Sequence, residues 1–120
     1  MGELERFIRQ GGVEAVIALD VLRALVVFGG SLWLSELGDA ISRVRLGELE
    51  YGLDEKLLFG VLRKLSSMGA VSLEERVRAS DRASGERDVL VRLASESVKQ
   101  LLIGDQVINR YYSSMLARGF

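Results

Sequence analysis

DEKLLFGVLRKLSSMG, residues 54–69, runs directly into AVSLEERV at 70–77 and, after a polar stretch, DVLVRL at 88–93. In the first segment Leu58, Leu62 and Leu65 recur at i, i+4 and i+7, the spacing of one buried stripe on an amphipathic helix. Gly69 stands where a left-handed residue ends a helix without a Cβ clash. Val71, Leu73 and Val77, then Val89, Val91 and Leu93, alternate with polar partners. The intervening residues 79–87 are polar and contain Gly85. Two period-2 runs around such a tip predict a β-hairpin, so the segment reads as a helix feeding a two-stranded wing.

The flanking elements follow from the same rules. Glu3 to Gln10 predicts a short amphipathic helix, broken from the next by Gly11-Gly12. Val13 to Phe28 is apolar on more than one face, as in a helix covered on most sides by neighbours. Leu32-Trp33-Leu34 is too short to stand alone and is expected to add a third strand to the hairpin. Ser35 is expected to cap a helix ending near Arg43 to Leu46, and Asp54 to cap the helix of the opening segment. Ser95 is expected to begin a last helix whose apolar stripe runs to Leu116, with a bend or pause at Gly104. The fold class is therefore α+β, mostly helical, with one small antiparallel sheet and additional terminal helices. The chain reads as one domain over 1–120, with a core at 13–94 and flanks at 1–10 and 95–120.

Composition narrows the chemistry. The chain has no cysteine, histidine or proline. It therefore has no thiol nucleophile, no disulfide and none of the usual zinc sites, which are built on cysteine or histidine. The commonest general base is missing too, and Phe28-Gly29-Gly30-Ser31 lacks the lysine and spacing of a phosphate loop. No catalytic residue, metal or cofactor is expected. The acidic start Met1 to Arg6 is unlike a signal peptide. The apolar run 13–28, interrupted by Glu14, Asp20 and Arg23, falls short of the ~20 residues that span a bilayer. A cytoplasmic protein without a membrane partner is expected.

Net charge is −1, but it is unevenly distributed. Residues 1–53 carry five basic and eight acidic groups, whereas 54–94 carry eight and seven. Arginine outnumbers lysine thirteen to three. Its planar fork suits phosphates and carboxylates alike. Asp81, Glu86 and Asp88 lie among the hairpin arginines, so an ion-paired wing stands as the plain alternative to phosphate contact.

The order of elements resembles the winged helix-turn-helix domains of bacterial and archaeal transcription regulators, including the MarR, PadR and ArsR groups. The residues that carry it are Leu34-Ser35-Glu36-Leu37, entering one helix, and the run from Val61 to Val71, leaving the next. The run from Val89 to Ser97 matches a returning strand and the start of its following helix. The likeness spans about Val13 to Leu102. It implies a DNA-binding regulator with helix 54–68 in the major groove and the wing at 78–88 on the adjacent backbone or minor groove. Carried onto this chain, the DNA-contacting residues are Ser35, Lys56, Phe59, Arg63, Lys64, Arg78, Arg82 and Arg87. Ser35 would offer its backbone N–H to a phosphate. Two features depart from that pattern. Asp54 and Glu55 place acids at the tip of the helix, and the link from Ile41 to Asp54 exceeds a tight turn.

Apolar groups outside this core point to a second copy. Leu4, Phe7, Ile8, Leu101, Ile108, Tyr111, Tyr112 and Met115 are the expected dimer interface, and mean hydropathy is +0.19. Trp33 reads as a core or interface plug. The competing function is a winged-helix protein-interaction module, with Phe59 and near-neutral charge serving a protein partner.

Overall fold

In the computed structural model, which describes residues 2–79 and 85–118, the leucine stripe of the opening segment turns inward. Leu58 is 4 % exposed, and Leu62 and Leu65 are fully buried. They belong to a helix, α4 (Glu55–Ser67). Asp54 caps it through its carboxylate, which accepts from the N–H groups of Lys56 (2.7 Å) and Leu57 (3.2 Å). Gly69 ends it at φ 76°. The Ala70 N–H then bonds to the Leu65 carbonyl and the Gly69 N–H to that of Ser66. These two bonds satisfy carbonyls that the helix would leave orphaned.

Among the described residues the other elements are α1 (Glu3–Arg9), α2 (Val13–Val27), β1 (Ser31–Trp33), α3 (Leu34–Val44), β2 (Val71–Arg78), β3 (Glu86–Leu93), α5 (Ser97–Leu101) and α6 (Gln106–Ala117). The chain is thus α+β, the described residues forming six helices and one antiparallel three-stranded sheet in the order β1-β3-β2. β1 pairs with β3 through Trp33↔Leu90, and β2 pairs with β3 from Val71↔Leu93 to Arg78↔Glu86. α2 packs against α1, α3, α4 and β3. That enclosure explains why it is apolar on most sides, with Ile17, Ala18, Val21, Leu22 and Leu25 fully buried. No described helix is long and apolar enough to cross a membrane.

Three boundaries differ from the expectations. α3 starts at Leu34 with Trp33 as its cap residue, so Ser35 lies in the first turn. The strands of the hairpin run further than their apolar alternation, so β2 extends to Arg78, and Arg87, expected in the tip, is a strand residue. The last helix, expected to begin at Ser95, begins at Ser97 with Glu96 as its cap residue; the expected pause at Gly104 then divides it, α5 stopping at Leu101 and Asp105 starting α6 by accepting from the Ile108 N–H at 3.0 Å.

The link from α3 to α4 follows a turn in which Leu46 adopts φ 56°. That left-handed conformation costs a non-glycine residue roughly 1–2 kcal/mol. What holds the link is a buried polar cluster. Asp20, 1 % exposed in the middle of α2, accepts from Tyr51 Oη at 2.7 Å and from Arg23 Nη1 at 2.9 Å. Arg45 Nε lies 3.3 Å from the same carboxylate, an ionic contact without an aligned hydrogen bond.

Candidate nucleic-acid interface

On α4, Lys56, Phe59 and Arg63 follow each other by three and four residues, so they share the face opposite the buried leucines. Lys56 and Arg63 are exposed, and Phe59 is half-buried and lies outside the main core cluster. Gly60 beside them is exposed, with open space where a Cβ would stand. Neither cation forms an ion pair with another described residue. The same face therefore offers two uncommitted positive charges and an aromatic ring.

Lys64 points elsewhere. It sits one step round the helix, where its ammonium pairs with Glu14 of α2 and lies 6.0 Å from the centre of the Phe7 ring. It is a helix charge committed to a neighbour of the same chain.

On the wing, strand alternation separates the arginines. Val77 and Arg87 are register partners and share the sheet face of Val71, Leu73 and Val91, which is the face turned to the helices. Arg78 and Glu86 lie on the other face. Arg87 is exposed and has no ion pair among the described residues, although Glu75 shares its face. Arg78 Nε lies 3.0 Å from Asp88 Oδ2. Arg82 falls outside the described residues.

Ser35 is also committed. Its N–H donates to Asp88 Oδ1 (3.3 Å) and its hydroxyl to Asp88 Oδ2 (2.5 Å). The first turn of α3, expected to offer an N–H to phosphate, is thus occupied by a carboxylate of the same chain. Burial by itself would push the Asp88 carboxyl up; the bonds from Ser35 and the Val89 N–H, with the charge of Arg78, hold it below its ordinary value.

Trp33 is half-buried. It pairs with Leu90, 8 % exposed, on the sheet face opposite Val71 and Val91, and neither belongs to the main core cluster. Arg76 pairs with Glu74 at 3.0 Å on that face, so the patch is apolar at its centre and charge-balanced at its margin.

The residues expected at a dimer interface divide. Leu4 (7 % exposed) and Ile108 (8 %) are spent in this chain's own core, and Phe7, Ile8 and Leu101 pack against it. Tyr111 meets Phe28 edge-on, with ring centres 6.1 Å apart. Tyr112 remains 46 % exposed and Met115 is half-buried. Leu116 at 72 % and Ile103 at 79 % add apolar surface nearby in sequence.

The buried cluster around Asp20 escaped the sequence reading. Arg23 also reaches Asp105, donating from Nε to Oδ1 (3.0 Å) and Oδ2 (3.1 Å) and from Nη2 to Oδ2 (3.0 Å). Burial opposes the Arg23 charge, and the bonds and charges of Asp105 and Asp20 outweigh it and raise its pKa. The available signal was Asp20 and Arg23 at i, i+3 inside an otherwise apolar run. Among the described residues no group of three histidine, cysteine or acidic side chains is placed to hold a metal ion. Comparison with protein families, curated proteins and solved structures returned no match to this chain.

Proposed function

We propose that the chain is a winged helix-turn-helix DNA-binding protein of the cytoplasm, a dimeric transcription regulator that sets α4 in the major groove and the β2–β3 wing on the adjacent backbone. The observation that carries this reading is the pair of uncommitted cations, Lys56 and Arg63, flanking Phe59 on the outward face of a helix that leads into a hairpin. The sheet order β1-β3-β2 and the element order support the winged-helix assignment. Arg63 suits guanine or phosphate, and Lys56 and Arg87 suit phosphate. For the dimer, Tyr112 and Leu116 stand one helical turn apart on α6 and form an exposed apolar stripe. A two-fold pair through α6 would present two copies of α4 to half-sites ~34 Å apart if one helical turn separates them.

The test is a salt titration of duplex binding. Affinity should fall steeply as salt rises. The triple substitution Lys56→Ala, Arg63→Ala, Arg87→Ala should weaken binding and reduce the slope of log K against log salt by about 3, near 0.9 for each lost phosphate contact. Parental binding by the triple variant, or no duplex binding at low salt, rejects the reading.

A second reading, a protein-interaction module, is favoured by the intramolecular pairing of Lys64 with Glu14 and of Arg78 with Asp88. It leaves few cations for phosphate and makes Phe59 the centre of a protein contact. In that case partner binding depends on Phe59 and varies little with salt.

A further inference from the structure

Asp20 is the one charged residue among the described residues to be almost fully buried, and its partners come from three parts of the chain. Oδ1 takes Arg23 Nη1, and Oδ2 takes Tyr51 Oη and faces Arg45 Nε. Arg23 spans from Asp20 to Asp105, and Asp105 Oδ1 caps α6 through the Ile108 N–H. A continuous line of partly buried polar contacts therefore runs from the link before α4, through α2, to the start of α6. A separate contact closes the loop on the outside, because Arg110 of α6 pairs with Glu48 of the same link at 3.1 Å.

α6 has few other ties. It packs chiefly on α3, with Tyr111 edge-on to Phe28, the residue that caps the end of α2, and Ile108 as its one buried residue. The link 45–54 carries the strained Leu46 yet delivers Asp54 as the cap of α4. In such a partly buried network the contacts support one another, because a group left without its partner keeps much of its desolvation cost. A shift of α6 that opens Arg23–Asp105 is thereby felt at Tyr51 and Arg45, which hold the approach to α4.

We infer that Asp20 is a positioning residue that fixes α4 relative to α6 through Arg23, Arg45 and Tyr51, and so sets the separation of the two α4 helices in a dimer. The spacing part rests on the proposed DNA-binding dimer; the positioning part concerns the single chain.

The experiment perturbs the network from its far end. Asp105→Asn retains an oxygen to cap Ile108 and removes the charge facing Arg23. Hydrogen–deuterium exchange on the whole protein should speed by about tenfold at residues 45–54 and the first turn of α4, a coupling of ordinary size. Faster exchange confined to α6, with residues 45–58 unchanged, overturns the inference. A double-mutant cycle gives an independent reading. Asp105→Asn and Tyr51→Phe, which share no contact, should affect the unfolding equilibrium non-additively, and the excess should vanish when Asp20→Asn is introduced. Additivity in the parental protein overturns it as well, and that arm holds even if Asp20→Asn fails to fold. Selection from random duplexes then addresses spacing: the parent should choose one half-site separation and Asp105→Asn a broader set, while an equally narrow choice overturns the spacing claim. A parent that selects no duplex rejects the DNA reading, and the exchange and cycle results still decide the positioning role.

Discussion

Asp88 of β3 grips Ser35 of α3 at two points, taking the backbone N–H at 3.3 Å and the hydroxyl on its other oxygen. The wing is thereby fastened to the first turn of a helix 53 residues away in sequence. Negative charge also suits that end of the helix dipole. Because the Asp88 carboxyl is held below its ordinary value, its contribution is present above the unfolded value near pH ~4 and is lost as pH falls through the lower folded value. Asp88→Asn should therefore lower the thermal midpoint at neutral pH, and the gap to the parent should close in acid. A gap that does not change with pH would assign the effect to shape alone.

Tyr51→Phe removes the hydroxyl that donates to Asp20. The cost should be about 1–3 kcal/mol in denaturant unfolding, the range for leaving a buried acceptor short of a donor. Burial pushes the Tyr51 hydroxyl up, and the hydrogen bond and charge of Asp20 add to it. A raised tyrosine contributes fully below the unfolded value near ~10 and loses that contribution as pH rises past it, because the unfolded chain ionises first. The difference between parent and Tyr51→Phe should stay level through neutral pH and shrink above pH ~10.

Gly85→Ala tests the neck of the wing. Gly85 has φ 75°, and an added Cβ would lie 2.6 Å from Val77 Cγ1 and 2.8 Å from the Arg78 carbonyl oxygen. Backbone cannot yield to such a contact cheaply, so the substitution should cost of order 1–3 kcal/mol. Faster amide exchange in β2 and β3, with α2 unaffected, is the expected signature.

Arg63→Ala and Lys64→Ala are neighbours with opposite forecasts. Removing Arg63 should weaken duplex binding with little change in stability. Removing Lys64 should leave binding nearly intact and cost at most ~1 kcal/mol, as expected for an exposed pair such as Lys64–Glu14. Equal losses of binding would place Lys64 on the same surface as Arg63.

Tyr112→Ser with Leu116→Ser should abolish self-association in light scattering while the fold survives, because neither side chain is part of the core. Ile108→Ala, in the core, should instead destabilise each copy by about 2–5 kcal/mol.

Local rules carried much of the architecture. The inward turn of Leu58, Leu62 and Leu65, the Asp54 cap, the stop at Gly69 and the third strand beside the hairpin were all legible, because each rests on spacing within a few residues. What was not legible depends on partners distant in sequence. Ser35 looks like a helix cap until Asp88 is brought beside it, and Lys64 looks like a DNA contact until Glu14 and Phe7 meet it. Asp20 in an apolar run gives no hint that its neighbours are Tyr51 and Arg45. Leu4 and Ile108 read as surplus apolar groups because a periodic stripe does not say which neighbour covers it.

The tether of Arg45 and Tyr51 to one carboxylate gives the connection from α3 to α4 a definite length. A residue added or deleted between those two anchors would have to bulge out or drag one anchor away, although its surface location invites such changes. Evolution and engineering alike should find room for extra residues around Ile103 and Gly104, outside the tether, and very little between Arg45 and Tyr51.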